Sequence, residues 1–287
     1  MLTRNSHSSE YSTAGDARVG MLLAEGGDAP VGTVTLVGAG PGDPELLTVK
    51  AARALAEARL ALFDHLVSPA VLKLLPADAH RIYVGKEASR HSLPQEEIAR
   101  LMIRLARAGH SLIRLKGGDG YIFGRGGEEV EALAEAGVPF RVIPGLTAAQ
   151  GAAASTGIPL THRDHVSALV LATGHSRGDR QLDMDWLMLA RPRQTVVLYM
   201  GVSNLPEICR QLCAHGLPAH TPAALVENAT MPEERCVTGT VEQLPKLARQ
   251  HHIRPPALII IGEVVGCRRT SDVRGHMVEV RDQESVS

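Results

Sequence analysis

Short apolar runs alternate with stretches of helical periodicity along most of the chain. Residues 33–37 are apolar and partly β-branched, as in a strand buried on both faces. An Ala/Leu-rich helix is predicted over 48–58, with Thr48 as its N-cap. Residues 60–63 read as a second strand, 69–75 as a short helix and 81–84 as a third strand. Pro94 opens the plainest helix. Ile98, Leu101, Met102, Leu105 and Ala106 fall on one stripe, and Gly109 closes it. A strand at 111–115, a helix at 128–136 and a strand at 140–143 complete the first set. Strands separated by helices need crossovers, so the pattern predicts an α/β fold with a largely parallel sheet.

Residues 148–157 are nearly all small and suit close packing against a neighbour. A second set follows, with strands at 168–173, 195–199, 223–226, 236–240 and 257–261 and helices at 205–215 and 241–249. It has more β content and fewer clean crossovers, which predicts a mixed sheet. The expected organisation is a mobile tail over 1–31, α/β domains over 32–157 and 158–268, and a second tail over 269–287.

Composition narrows the function. The 287 residues are 44% hydrophobic and carry a formal charge of −1, so a core is available and generic binding to nucleic acid or an anionic membrane is excluded. Aromatics are only 3%, too few for a stacking platform for single strands. No apolar run is long enough to span a membrane, and the polar start lacks a signal core, so a cytoplasmic location is expected. Four cysteines in a chain of this length read as reduced thiols rather than a disulfide framework.

The candidate chemistry lies at strand ends. Gly38-Ala39-Gly40-Pro41-Gly42-Asp43-Pro44 follows the first strand. Its spacing is not GxGxxG, and Pro41 removes an amide donor, so the loop suits close backbone approach rather than a phosphate cradle. Residues 117–127 hold six glycines in eleven positions, with Asp119 and Arg125 as polar points. Two such loops at the carboxyl ends of parallel strands meet where α/β proteins bind ligands. Further strand-end segments are Phe63-Asp64-His65, Val84-Gly85-Lys86, Pro144-Gly145-Leu146-Thr147-Ala148, Thr173-Gly174-His175, Tyr199-Met200-Gly201 and Glu227-Asn228-Ala229. His162 and His165 stand three apart in a predicted loop without an acid on a shared helix, so no metal site is expected.

Taken together, GAGPGDPELLT, RLKGGDGYIFGRGGEE, PGLTAA, GIPLTHRD, TGH, YMG and ALVEN resemble the tetrapyrrole methylases, and within them the uroporphyrinogen-III C-methyltransferases. The resemblance covers about 32–267. With no dehydrogenase–chelatase segment ahead of it in the sequence, the stand-alone form is expected rather than the fused sirohaem synthase. It implies two α/β domains with the active site in the cleft between them, a homodimer, and methylation of uroporphyrinogen III by S-adenosylmethionine (SAM) to precorrin-2. It implies SAM contacts at Pro41, Gly117, Gly118, Asp119, Ile122, Thr147, Ala148, Met200 and Ala229. It also implies acid–base roles for Asp64 and Lys86. Arg125 is added as a catalytic residue, stabilising negative charge or taking a proton. The eight substrate carboxylates call for Arg125, Arg163, His162, His175 and Lys86. Glu128 would orient Arg125 or bond pyrrole N–H groups, and Met200 would also touch the macrocycle. Phe63, Tyr83, Tyr121, Phe123 and Tyr199 are expected to line it.

Three departures stand out. Gly120-Tyr121 replaces the usual Pro-Phe, Ala229 a frequent glycine, and His65 a frequent arginine. A later precorrin methylase and a non-catalytic tetrapyrrole-binding protein remain alternatives. A nicotinamide-dependent dehydrogenase is disfavoured by the loop spacing.

Overall fold

A computed structural model describes residues 11–13, 16–24, 29–85, 94–175 and 182–269. The chain divides into two compact units, Met1–Thr147 and Ala148–Ser287.

The first unit holds strands β1 (Ser12–Thr13), β2 (Val34–Gly38), β3 (Leu60–Phe63), β4 (His80–Tyr83), β5 (Leu112–Lys116) and β6 (Phe140–Ile143). They form one sheet in the order β1-β4-β3-β5-β2-β6, with every pair parallel. Its helices are α1 (Ala17–Ala24), α2 (Val49–Ala56), α3 (Pro69–Leu72), α4 (Gln95–Arg107) and α5 (Gly126–Glu135). Side-chain alternation sends successive strand residues to opposite faces. Leu36 and Leu62 pack with α1, α4 and α5, while Val37, Ala61 and Leu115 pack with α2 and α3. The sheet is therefore doubly wound. The chain leaves β2 toward β3, passing β5, and leaves β5 toward β6, passing β2. The two connections diverge, so the crevice for a ligand opens at the carboxyl ends of β2 and β5.

For the described residues, the expectation of a tail over 1–31 does not hold at α1. Val19 and Leu22 of α1 are buried in the first core, the Leu22 carbonyl lies 2.7 Å from His110 Nε2, and Tyr11 packs edge-on against Phe63. The i, i+3 spacing of two apolar residues is enough to dock a single short helix. Of the predicted C-terminal tail, everything after Arg269 lies outside the described residues.

The second unit holds α6 (Ala148–Thr156), β7 (Ala168–Thr173), α7 (Trp186–Leu189), β8 (Gln194–Tyr199), α8 (Leu205–Ala214), β9 (Pro222–Glu227), β10 (Arg235–Thr240), α9 (Leu244–Gln250) and β11 (Ala257–Ile261). Its sheet runs β10-β9-β11-β8-β7, with β7 and β8 parallel and the other neighbours antiparallel, the mixed sheet expected. One face packs on α8 and α9 through Ile208, Leu212, Leu244 and Leu247. The other packs on α6 through Ala149 and Ala152. The small-residue stretch is thus a helix buried in the second core. That packing places the division of the chain between Thr147 and Ala148 rather than at the expected 157/158.

Candidate functional site

In the first unit, the loops after β2 and β5 are tied to each other by backbone. Gly118 N donates to Gly40 O at 2.7 Å, and Gly40 N donates back to Gly118 O at 3.1 Å. Gly118 sits at φ +68°, a conformation costly for any residue with a Cβ. Gly38 packs so tightly on the loop after β6 that a Cβ there would lie 2.4 Å from Gly145 N. Asp119 clasps the same region: Oδ2 accepts from Gly145 N at 3.0 Å and Oδ1 from Tyr121 N at 2.9 Å. A Cβ at Gly117 would lie 2.6 Å from Leu66 Cβ, so the loop after β3 closes in as well. The surface left beside these loops is backbone and apolar side chain, with Leu66, Tyr121, Ile122 and Phe123 exposed. Such a surface suits a ligand that presents both hydrogen-bonding edges and apolar parts.

Beside these loops lies a buried ionic network. Arg114 and Lys116 stand at alternate positions of β5, so both side chains leave the same face. Arg114 Nη2 donates to Asp64 Oδ2 at 3.1 Å, and Arg114 Nε to Glu129 Oε1 at 3.2 Å. Lys116 Nζ donates to that same Glu129 oxygen at 2.9 Å, and Gln95 Nε2 is its third donor at 2.8 Å. Glu129 is fully buried on α5, while Asp64, at the end of β3, keeps about a fifth of its side chain exposed (21%) and also accepts from Leu66 N at 3.1 Å. Burial pushes the Lys116 ammonium below its ordinary pKa, Arg114 adds to this, and Glu129 opposes it. Arg114, Lys116 and Glu129 were not singled out from the sequence. Two cations two apart in an otherwise apolar strand were the available signal, because buried charges must be paired.

Arg125 opens α5 in the left-handed region at φ +59° and forms a two-pronged pair with Glu128, Nη2 to Oε2 at 2.5 Å and Nε to Oε1 at 3.0 Å. Both side chains are more than half exposed. The hydrogen bond to Glu128 raises the Arg125 pKa above its ordinary value. That disfavours proton acceptance and leaves a permanent, forked cation. Pro41 is half-buried in its loop, and Thr147 is buried at the end of the first unit. Lys86 lies outside the described residues.

In the second unit, Met200 is exposed just after β8 at φ +53°. Ala229 sits between Asn228 (φ +50°) and Thr230 (φ +68°), a tight turn after β9. Ala148 opens α6. Arg163 and His175 are exposed, while His162 is half-exposed, 3.9 Å from Asp164. His162, His165 and Cys267 bring their donor atoms within 4.8 Å of one another, a convergence not visible in the sequence because Cys267 lies far along the chain.

The ring assignment needs correction at Phe63, which is 3% exposed. Phe63 is buried between Tyr11 and Tyr83 with ring centroids 5.0 and 5.6 Å away, and the Tyr199 hydroxyl accepts from Ala149 N at 3.1 Å. Phe63 serves packing, while Tyr199 ties α6 through its hydroxyl and stays half-exposed. Tyr121 and Phe123 are the exposed ones.

The doubly wound sheet, with interlocked glycine loops at its switch point beside a carboxylate held by a buried arginine, defines an α/β protein with a crevice of the kind that binds ligands. Known proteins sharpen this. The family model for tetrapyrrole (corrin/porphyrin) methylases matches residues 33–245. The siroheme synthases of Nitrosospira multiformis and Nitrosomonas europaea are each 54% identical, over 83% and 82% of this chain and 50% of theirs. The chain thus spans about half the length of the curated relatives it matches. A solved uroporphyrin-III C-methyltransferase from Thermus thermophilus, complexed with S-adenosyl homocysteine, is 44% identical with a TM-score of 0.72, over 82% of this chain and 100% of that one. A cobalamin biosynthetic enzyme, cobalt precorrin-4 methyltransferase, reaches the same TM-score at 28% identity, over 81% and 95%. This chain belongs to the tetrapyrrole methylases.

Proposed function

We propose that this chain is a SAM-dependent C-methyltransferase that converts uroporphyrinogen III to precorrin-2. The observation that carries the reading is the mutual backbone lock of Gly40 and Gly118 beside the Asp64–Arg114 pair. The sequence likeness to a uroporphyrin-III C-methyltransferase (44%) exceeds that to a precorrin-4 enzyme (28%), which favours the earlier tetrapyrrole as substrate.

SAM supplies an electrophilic methyl on a sulfonium, so the protein's task is alignment and proton removal. Its recognition is assigned to the backbone around Pro41, Gly117, Gly118 and Ile122, with Asp119 holding that backbone in shape through Gly145 and Tyr121. By motif position Thr147, Ala148, Met200 and Ala229 join this set. Asp64 is the proton acceptor in this reading. Arg114 and the Leu66 amide fix its two oxygens in direction, and its partial exposure leaves it reachable. The forked Arg125 cation, steadied by Glu128, stabilises charge that builds on the macrocycle as it loses a proton. His162, Arg163 and His175 take substrate carboxylates by motif position. The same reading carries a homodimer and a cytoplasmic location; light scattering tests the first. No helix among the described residues is long and apolar enough to cross a membrane.

Mass spectrometry of the product formed from uroporphyrinogen III and SAM under anaerobic conditions tests the reading. A gain of two methyl groups is expected. No gain, or methylation only of later precorrins, would overturn it. Arg125→Ala should cut turnover while leaving the thermal midpoint nearly unchanged, because an exposed ion pair contributes only about 0–1 kcal/mol.

A further inference from the structure

Within the second unit, two chain segments converge on one spot. The first is the turn at 162–166. His165 N donates to His162 O at 3.2 Å and Val166 N to the same oxygen at 2.9 Å. This helix-like turn puts side chains three apart on one side. The two imidazole rings face each other at 4.8 Å between centroids, tilted by 46°. Val166 is buried and anchors the turn in the core.

The second segment is the 3₁₀ turn Glu263–Cys267. Its Val264 and Val265 are buried in the same cluster as Val166. Beyond it, Arg268 Nε donates to Thr156 O at 2.9 Å and Arg269 N to Gly157 O at 3.0 Å, pinning the segment to the end of α6. Cys267 is thereby held against the histidines. Its thiol makes a weak bond of 3.9 Å to the carbonyl of Glu263 in its own turn.

The geometry points to a metal site for a zinc-class divalent ion, bound by imidazole nitrogens of His162 and His165 and by the Cys267 thiolate. Two borderline nitrogens and one soft sulfur select Zn²⁺ or Co²⁺ over Mg²⁺ or Ca²⁺. Bond lengths of about 2.1 Å to nitrogen and 2.3 Å to sulfur require donors some 3.3–3.8 Å apart in a tetrahedron. Donors already within 4.8 Å of one another need to close by only about 1–1.5 Å to meet it. His162 and Cys267 are half-buried and His165 is exposed, so the fourth position faces water. Binding releases the thiol proton to solvent, and affinity therefore rises with pH. Metal binding here does not rest on the methyl-transfer reading, but a bound ion would take His162 away from the substrate carboxylate that reading gives it.

The test uses the full chain without a polyhistidine tag. Titration with Co²⁺ should produce a near-ultraviolet thiolate-to-cobalt band that saturates at one equivalent and that Zn²⁺ abolishes. Cys267→Ser should remove the band, and His165→Ala should weaken Zn²⁺ binding at least about tenfold. Cys213→Ser, on α8, should leave both unchanged. Absence of the band, its persistence in Cys267→Ser or its loss in Cys213→Ser would each overturn the site. Should Cys267→Ser fail to fold by circular dichroism, alkylation of the unmodified chain decides. Zn²⁺ must protect Cys267, and unprotected labelling sinks the proposal.

Discussion

Arg114 donates to Asp64 from the neighbouring strand of the sheet, Nη2 to Oδ2 at 3.1 Å, with its own guanidinium almost wholly buried. The same side chain serves Glu129, which is fully buried. One arginine thus couples a partly exposed carboxylate to the ionic interior of the first unit. Removing it should damage both. Arg114→Met is expected to destabilise the protein by about 3–5 kcal/mol, because it leaves charges unpaired in the interior. Arg114→Lys keeps the charge but not the fork and should recover part of that loss. Asp64→Asn should spare SAM affinity and cut turnover about 10²–10⁴-fold. Urea denaturation and single-turnover assays check these, and wild-type turnover in Asp64→Asn would remove the base assignment.

Lys116 makes stability depend on alkaline pH. Its folded pKa lies below the ordinary 10.5, chiefly because burial disfavours the ammonium. Between the folded value and 10.5 the unfolded chain holds the extra proton, so this residue's contribution to stability rises with pH. It is complete above 10.5 and lost as pH falls through the folded value. Denaturation of wild type and Lys116→Met should therefore show the difference moving in favour of wild type toward high pH. A difference flat with pH would contradict the assignment.

Gly38 tests the loop lock. A Cβ there would meet Gly145 N at 2.4 Å and Gly118 O at 2.9 Å, all backbone with little room to yield. Gly38→Ala is expected to cost about 1–3 kcal/mol and to weaken SAM binding. Gly127→Ala is the matched control. It adds a Cβ with nothing within 4 Å in the first turn of α5, and should leave stability unchanged or raise it by up to about 1 kcal/mol. Calorimetric SAM titration separates the two variants.

The four thiols should divide by burial. Cys209 is pushed up to about 12 and Cys236 to about 11, both chiefly by desolvation. Neither forms appreciable thiolate at pH 8, and both are buried. Ellman titration of the native chain should read the partly exposed Cys213 and Cys267, and all four cysteines only after unfolding. Fast native labelling of Cys209 would argue against the packing of α8.

Strands such as Val34–Gly38 and Leu60–Phe63 could be read from the sequence because burial on both faces writes them as nearly continuous apolar runs. α6 could not be read as a helix. Its Ala, Gly and Ser residues offer no apolar stripe, and only the surface of the second sheet gives it a buried side. β1 is two residues long, and its pairing with β4 is a tertiary choice made beside the Tyr11–Phe63 contact. At the site, the glycine loops announced themselves through composition. The partners of Asp64 did not, because pairing among Arg114, Lys116 and Glu129 appears only once β5 and α5 are docked.

The placement of β11 has a consequence for synthesis. It is the last strand among the described residues, yet it lies between β9 and β8 and is antiparallel to both. Until it leaves the ribosome, the second sheet exists only as two separate pairs, β7 with β8 and β9 with β10, each with a bare apolar edge. Cooperative closure of that unit therefore waits for residue 261, while the first unit already has its whole sheet. Chains halted before β11 should show a protease-resistant first unit and a digestible remainder, with resistance across both appearing only once Ile261 is included.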